Sequence, residues 1–333
     1  MTKAIALLSG GLDSTLAVKL ILEQGIEVEA VNFVSAFCTC TSSNSRCLEG
    51  KSAADKLGIK LRVFNISREL VELVRHPKYG YGRNMNPCLD CRIFTFKKAG
   101  EYMKEGGASF LITGEVLGER PMSQRRDAMR IIERDSGLDG LILRPLSAKL
   151  LSPTTPEKEG LVDRERLLAI QGRSRKPQIA LAEKLGINDY PCPAGGCLLT
   201  DPGFAKRMRD LMNHIPNFTL NDVHLLKIGR HFRLSPRAKI IVGRNEKENK
   251  KLATFALEGD LIYKVLDFPG PVTVVRGELE DPLSEIPARI TATYSKAKNE
   301  KEVNVTCKEC ASGSTRVLRI SPLERNRLEE LMI

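Results

Sequence analysis

The chain has 333 residues, of which 42% are hydrophobic, so it is long enough for two or three globular domains. Its formal net charge of +11 favours a polyanionic partner such as a nucleic acid. The first apolar stretch is too short for a signal peptide, and no apolar run reaches the ~20 residues that span a bilayer. We therefore expect a cytoplasmic protein with no membrane partner, whose nine cysteines serve as metal ligands or reactive thiols rather than as disulfides.

The first predicted element is an apolar strand, Ala4–Leu8, followed by a turn and an amphipathic helix, Leu12–Leu22. The turn, Ser9–Ser14, reads SGGLDS and does not end in the Gly-Lys-Ser/Thr of a P-loop. Adjacent glycines allow the backbone to approach an anion, and the helix N-terminus adds free amides and a positive dipole end. We call this segment the phosphate turn. Its predicted ligand contacts are Ser9, Gly10, Gly11, Asp13 and Ser14.

Strand and helix patterns then alternate as far as about residue 190. Further strands are predicted at Glu27–Phe33, Lys60–Asn65, Phe110–Thr113 and Leu141–Leu143, and helices at Cys47–Leu57, Ser67–Val74, Asp90–Lys104, Pro121–Arg134 and Lys176–Leu185. This alternation predicts an α/β domain with a doubly wound parallel sheet. Ligands of such sheets bind beyond the carboxyl ends of the strands. We therefore expect the phosphate turn, the Cys38 segment and the Thr113–Glu115 segment to meet in one crevice.

The pattern changes near Asp201, where a helix over Phe204–His214 precedes short strands separated by glycine and proline turns. These strands are predicted at Ala238–Val242, Leu261–Val265, Val272–Val275 and Arg289–Tyr294, and a last helix at about Pro322 to Met332. We expect two domains, 1–200 and 201–333, of which the second is a smaller α+β module.

Three groups of cysteines lie in the first predicted domain. They are Cys38, Cys40 and Cys47; Cys88 and Cys91 in a Cys-x-x-Cys; and Cys192 and Cys197. Two thiols on one turn and a distant third can hold an iron–sulfur cluster with one iron open. Zinc, a catalytic dithiol and inert buried cysteines are the alternatives. Because none of the four histidines is spaced to join these cysteines, an all-thiolate site is favoured over a Cys/His zinc site.

The phosphate turn resembles the PP-loop of the ATP pyrophosphatases. Further motifs, similar to those of the PP-loop tRNA thiolation enzymes, are Thr113-Gly114-Glu115 with Gly118 and Glu119, Leu141–Leu146, Asn86–Phe96 and Cys197. Residues 1–200 resemble most the catalytic domain of the 4-thiouridine synthetases, and Asn86–Phe96 is similar to the first-cysteine region of the tRNA 2-thiouridylases. The resemblance implies an adenine-nucleotide alpha hydrolase-like fold, with ATP and Mg²⁺ at the phosphate turn and Thr113 and Gly114 beside the ATP.

The resemblance also implies an activity, that of an ATP-dependent tRNA sulfurtransferase. A tRNA uridine is adenylylated, and sulfur then displaces AMP. Sulfur arrives either through a [4Fe-4S] cluster held by three cysteines, which we favour, or through two cysteines and a persulfide. The implied catalytic residues are Asp13, Cys88, Cys91 and Cys197, and the last three are the implied cluster ligands, with Cys192 competing for the third position. We favour 4-thiouridine as the product and expect sulfide or a sulfur-carrier protein as donor.

The C-terminal part resembles the NFACT-R type of RNA-binding domain over about residues 205–300. The similar segments are Ile240–Asn249, Asp260 and Phe268–Pro271. Cations in this part, and others that follow Gly118, suit phosphate contacts. The predicted tRNA contacts are Arg120, Arg125, Arg126, Arg230 and Arg244, and Lys227, Arg233, Arg237 and Lys239 lie near the last two in sequence. The sequence does not decide whether the protein forms a homodimer through this module.

Three other functions fit parts of the sequence. Another PP-loop reaction, such as amidation or lysidine formation, needs no thiol, so the cysteine pattern argues against it. A non-catalytic RNA-binding or iron–sulfur redox protein needs no intact phosphate turn, so the presence of that turn argues against it. An enzyme that thiolates or desulfurates a small molecule is the third.

Overall fold

A computed structural model of the chain describes residues 2–39, 49–190, 196–279 and 285–333. The chain divides into two compact units, Met1–Thr200 and Asp201–Ile333, each with its own sheet and core. None of the helices in these described ranges is long and apolar enough to cross a membrane.

The first unit contains a five-stranded parallel sheet of order β3-β2-β1-β4-β5. Its strands are β1 Lys3–Leu7, β2 Glu27–Val34, β3 Leu61–Asn65, β4 Phe110–Thr113 and β5 Ile142–Leu143. Its helices are α1 Leu12–Leu22, α2 Glu49–Leu57, α3 Ser67–Arg75, α4 Cys88–Glu105, α5 Arg126–Ser136, α6 Thr155–Lys158 and α7 Lys176–Lys184. The chain adds strands to one side of β1 and then crosses to the other, so a ligand crevice is expected where β1 and β4 meet. The predicted α/β class with a doubly wound parallel sheet is confirmed.

Strand β1 is buried on both faces because helices cover both sides of the sheet. Ala4 and Ala6 lie in one apolar cluster with Leu16 of α1 and Ala182 of α7. Ile5, on the opposite face, lies in a second cluster with residues of α4 and α5. The near-continuous apolar run of β1 is therefore the pattern expected for a central parallel strand.

The second unit contains a six-stranded antiparallel sheet of order β11-β10-β8-β9-β7-β6. Its strands are β6 Arg230–Ser235, β7 Ala238–Val242, β8 Leu261–Val265, β9 Thr273–Gly277, β10 Val303–Glu309 and β11 Thr315–Ile320. Its helices are α8 Pro202–His214, α9 Leu220–Leu225, α10 Glu246–Phe255, α11 Ile286–Thr293 and α12 Arg325–Leu331. Phe232, Tyr263 and Ile290 pack in the core of this unit.

The strand predicted at Arg289–Tyr294 is wrong, because these residues lie in and directly after helix α11. The Thr291 hydroxyl donates to the Pro287 carbonyl at 2.6 Å, and the Tyr294 amide donates to the Ile290 carbonyl at 3.2 Å, which is helical spacing. Residues 288, 290 and 292 are all buried. A helix covered on more than one side loses its 3.6-residue apolar period, and the remaining alternation resembles that of a strand.

Candidate nucleotide and thiol site

The phosphate turn fits tightly against the start of helix α2. Gly10 has φ +82°, a left-handed conformation that disfavours other residues, and a Cβ atom there would lie 2.6 Å from the Glu49 carbonyl oxygen. The obstacle is backbone, which cannot move aside as a flexible side chain can. Gly10 is therefore required for both its conformation and its lack of a side chain.

Gly114 brings the end of strand β4 against the start of helix α1. A Cβ atom at Gly114 would lie 2.6 Å from the Asp13 carbonyl oxygen. Thr113, the last residue of β4, is buried directly before it. The Thr113–Gly114 segment and the phosphate turn thus meet at the carboxyl ends of β1 and β4, where the crevice was expected.

Hydroxyl groups fix the shape of the phosphate turn. The Ser14 hydroxyl donates to the Gly11 carbonyl at 2.9 Å, and the Gly11 amide donates to the Ser9 hydroxyl at 3.4 Å. The Ser9 and Ser14 hydroxyls lie 3.2 Å apart. The first amides of α1 have no acceptor within the helix, so this end of α1 suits an anion.

Helix α7 adds polar groups that the sequence analysis did not assign. Oδ1 of Asp13, both amide atoms of Gln178 and Nε of Arg175 are buried without a well-formed hydrogen bond. Burial raises the pKa of Asp13, while Arg175, Gln178 and Arg120 act in the opposite direction. A buried polar group without a partner costs about 1–3 kcal/mol. Oδ1 of Asp13 and the three other atoms thus form a site suited to a polar ligand.

Two charged residues after β4 extend this site. Burial raises the pKa of Glu119, and the charge of Asp13 raises it further, so the two carboxyl groups lie near each other. Arg120 lowers the pKa of Asp13 and that of Cys88. Arg120, predicted as a tRNA contact, therefore acts on both the phosphate turn and the thiols.

Four cysteines meet beside this crevice and form what we call the thiol cluster: Cys38, Cys88, Cys91 and Cys197. Burial raises the pKa of Cys91 to about 11, against the effect of Arg92. Burial likewise raises the pKa of Cys197 to about 12, with further contributions from the other three thiols. These four sulfurs therefore interact electrostatically, although they come from three distant parts of the sequence.

The thiol cluster fits an iron–sulfur cluster in its donor chemistry, because its interacting ligand atoms are all sulfur. In the described ranges, no three His, Cys, Asp or Glu side chains are arranged around a single metal-ion position. A single zinc ion needs its thiolates ~2.3 Å from one point, whereas the thiolates of an iron–sulfur cluster bind separate irons. Cys40, Cys47 and Cys192 lie outside the described residues.

A buried ion-pair network supports the start of α4. Arg92 Nε and Arg144 Nε each donate to Glu115 at 3.0 Å, one to each carboxylate oxygen. Glu115 is 1% exposed and Arg144 4% exposed. Arg144, between an apolar strand and a proline, is thus a buried partner of Glu115. Arg92 follows Cys91 directly, so the network holds the Cys-x-x-Cys against β4.

The remaining predicted tRNA contacts occupy different surroundings. Arg125 pairs with Asp127 at 2.8 Å, and both are well exposed. Arg126 donates to the Leu150 carbonyl at 2.7 Å and lines a cavity of about 280 Å³. In the second unit, Arg230 lies 4.6 Å from the Tyr294 ring centroid, and Arg244 pairs with Glu248.

Two neighbouring cations suggested by sequence for phosphate contacts are committed to the protein interior. Arg233 and Lys239 both donate to Asp210, at 2.6 Å and 2.9 Å. Lys239 is 4% exposed, and burial lowers its pKa to about 8. The expectation that Lys239 contacts RNA is therefore wrong, since its charge balances a carboxylate within the unit.

Comparison with known families bears on both units. Residues 1–149 match the family described as thiamine biosynthesis protein (ThiI). Residues 229–332 match the NFACT protein RNA binding domain. The predicted resemblance is confirmed. The chain combines a ThiI-like first unit with an NFACT-like second unit. The match in the second unit begins at residue 229 rather than about 205 and ends at residue 332 rather than about 300.

Individual relatives are similar to parts of the chain. The tRNA-specific 2-thiouridylase MnmA of Pseudomonas putida (strain W619) is 28% identical over 203 residues, covering 56% of this chain and 48% of the relative. This chain therefore spans about half the length of that relative. A 4-thiouridine synthetase–RNA complex with bound ATP has a TM-score of 0.33 at 21% identity, covering 57% of this chain and 54% of that one. The U34-tRNA thiolase NcsA from Methanococcus maripaludis, with its [4Fe-4S] cluster, has a TM-score of 0.35 at 16% identity, covering 68% and 71%.

Proposed function

We propose that this protein is an ATP-dependent tRNA sulfurtransferase, which adenylylates a tRNA uridine and replaces its oxygen with sulfur. The observation that carries the proposal is the meeting of a phosphate turn and a thiol cluster at one sheet edge of a ThiI-like unit, with Arg120 acting on both. A nucleotide site alone fits many reactions. A nucleotide site beside four thiols fits activation followed by sulfur transfer.

ATP occupies the phosphate turn in this proposal, with Thr113 and Gly114 beside it. The orphaned Oδ1 of Asp13 and the nearby Glu119 offer the carboxylate oxygens that Mg²⁺ prefers. Bound there, Mg²⁺ supplies positive charge to the phosphates. Gln178 supplies both a donor and an acceptor to the nucleotide.

Adenylylation converts the uridine oxygen into a good leaving group. The oxygen attacks the α-phosphate, pyrophosphate departs, and negative charge develops on the phosphate oxygens. The α1 amides and the guanidinium groups of Arg120 and Arg175 stabilise that charge without having to reorganise. AMP then leaves when sulfur attacks the same carbon.

Sulfur delivery is assigned to the thiol cluster. Cys88, Cys91 and Cys197 would hold a [4Fe-4S] cluster, which would supply iron as a site for sulfide, and Cys192 is the alternative third ligand. Burial raises the pKa of Cys91 and of Cys197 well above that of an ordinary thiol. Sulfide or a sulfur-carrier protein is the proposed donor, and 4-thiouridine is the favoured product.

The second unit is proposed to hold the tRNA. Its match to an RNA-binding family and the partly exposed Arg230 and Arg244 support this assignment. Arg125 and Arg126 of the first unit would add backbone contacts nearer the chemistry.

A two-cysteine persulfide route to 2-thiouridine is the second candidate. The close approach of Cys38 to Cys197, described below, favours it, as does the similarity to a 2-thiouridylase. In that case a persulfide on one thiol attacks the adenylylated base, and a second thiol completes the transfer.

The test uses the full chain, purified anaerobically, with unmodified tRNA, ATP and sulfide. Pyrophosphate release and thiolated nucleosides are measured separately, the latter by mass spectrometry after chromatography resolves 4-thiouridine from 2-thiouridine. Asp13→Asn is expected to slow pyrophosphate release by about 10²-fold. Cys91→Ala should retain that release and lose the thiolated nucleoside, and Cys310→Ala, in the second unit, serves as the matched control. No tRNA-dependent pyrophosphate release from the unsubstituted chain would overturn the proposal.

Iron and sulfide analysis separates the two sulfur routes. The cluster route predicts about four irons per chain, lost in Cys88→Ala and Cys197→Ala. Thiolation by an iron-free chain that is supplied with a persulfide donor, and not by the same chain with sulfide alone, would assign the reaction to the persulfide route instead.

A further inference from the structure

Cys38 and Cys197 face each other across an antiparallel β-bridge. The Leu198 amide donates to the Phe37 carbonyl at 2.9 Å, so the ladder hydrogen bond joins their neighbours rather than the two cysteines. Such a non-hydrogen-bonded pair has Cα atoms ~4.5 Å apart and side chains on the same face. This separation lies within the ~4.4–6.8 Å that a disulfide requires.

The environment of Cys38 suits an attacking thiolate. The Ser35 amide donates to the Cys38 sulfur at 3.3 Å, and the Ser35 hydroxyl lies 3.6 Å from it. An N–H aimed at sulfur stabilises negative charge on it.

We propose that Cys38 is the thiol that attacks the sulfur of Cys197 whenever Cys197 carries a second sulfur, as a persulfide or a mixed disulfide. This inference rests on the second candidate of the proposed function, the persulfide route, for which it names the residue that completes transfer. It needs a Cys197 that is free of metal.

The exchange balances without an oxidant. The Cys38 thiolate, having lost its proton to solvent, gives its electron pair to Sγ of Cys197, and the Cys38–Cys197 bond forms. The bond from Cys197 to the outer sulfur breaks, and that sulfur leaves with the electron pair, as hydrosulfide or as the thiolate of the modified base. An external dithiol then reduces the Cys38–Cys197 disulfide and becomes oxidised itself.

The test treats the iron-free full chain with an aromatic disulfide reagent and maps the products by peptide mass spectrometry. The unsubstituted chain is expected to release a second aryl thiolate from the Cys197 adduct and to yield a peptide in which Cys38 is linked to Cys197. Cys38→Ser should retain the aryl adduct on Cys197. Cys310→Ser, which removes a thiol of the second unit, is the matched control and should still form the link.

Two outcomes would overturn the inference. One is a link from Cys197 to Cys88 or Cys91 in the unsubstituted chain. The other is undiminished loss of the Cys197 adduct in Cys38→Ser, with circular dichroism and a Cys38→Ala variant confirming that the fold is intact.

This measurement involves neither ATP nor tRNA. Failure of tRNA-dependent pyrophosphate release contradicts the proposed function and leaves the thiol result standing. Absence of the Cys38–Cys197 link contradicts the inference and leaves adenylylation untouched.

Discussion

Gly114 shows how one missing side chain positions a whole site. The backbone of Asp13 and Ser14 occupies the space where any other residue at position 114 would place a Cβ atom. The carboxylate of Asp13 is in turn surrounded by buried polar groups that have no well-formed partner. These unpaired groups lower the stability of the unit around Asp13, while the close contact at Gly114 fixes the end of β4 against the start of α1.

Replacing Gly114 by Ala should destabilise the first unit by about 1–3 kcal/mol, because the added methyl group meets backbone that cannot move aside. Gly11→Ala is the matched control. Its φ is −76°, and its Cβ would meet the Ser9 hydroxyl at an ordinary 3.5 Å. Denaturant unfolding of both variants measures the difference, and equal losses of stability would contradict the packing argument.

The residues of the site differ in how far sequence could reveal them. The phosphate turn and the Cys88–Cys91 pair were visible because their spacing is local and specific. Gln178 and Arg175 could not be predicted, because the sequence does not distinguish a polar helical residue that faces solvent from one that faces a cleft. The pairing of Cys38 with Cys197 depends on contacts between distant segments, which no local pattern records.

Helix α4 is held at its start by charge rather than by a capping side chain. Glu115 connects Arg92 on α4 to Arg144 at the end of β5, so one carboxylate ties a helix to two strands. Although burial opposes it, the two guanidinium groups lower the pKa of Glu115. The Cys-x-x-Cys is therefore positioned by a network whose parts depend on one another.

Removing the shared carboxylate should be costly. Glu115→Ala leaves Arg92 without its carboxylate and leaves Arg144 with Glu133 alone, and it is expected to lower the free energy of unfolding by about 3–5 kcal/mol. Asp127→Ala, which breaks the exposed pair with Arg125, should have a much smaller effect. Thermal unfolding compares the two, and a small loss in Glu115→Ala would show that water replaces the carboxylate.

Helices and strands were predicted most accurately from the sequence where one face of the element was apolar or where a strand lay at the centre of its sheet. Most strands of the parallel sheet were predicted to within a residue or two. Helix α11 was misread because its apolar residues 288, 290 and 292 alternate with polar ones in the sequence, as in a strand, although Pro287 and Thr291 are buried as well. Strands β10 and β11 were not predicted, since several of their residues are exposed and polar and the pairing between them supplies the regularity.

At the scale of the whole molecule, the positively charged side chains fall into two groups, those paired with buried carboxylates and those exposed to solvent. Lys239, Arg233 and Arg276 neutralise buried carboxylates in the second unit. The total of 52 lysines and arginines therefore overstates the number of cations free to meet a nucleic acid. The cations relevant to binding are those with exposed guanidinium groups.

Binding of tRNA should accordingly weaken with salt through a small set of contacts. Arg230→Ala and Arg244→Ala are each expected to reduce the slope of log affinity against log salt by about one. Arg319→Ala removes an exposed cation of β11 that pairs with Glu302, and it serves as the control. Filter binding over a range of salt concentrations measures the slopes, and unchanged slopes in the first two variants would contradict the assignment of the second unit to RNA.

The thiol cluster has a further consequence for how the protein is made. Its cysteines come from segments near residues 38, 90 and 197, so nearly the whole first unit must close into loops before they meet. Contacts of such large sequence separation form late and slow folding. During synthesis Cys88 and Cys91 emerge well before Cys197, and for that interval they lack their final partners. The time at which these thiols become protected from alkylation therefore reports when the first unit has finished folding on the ribosome.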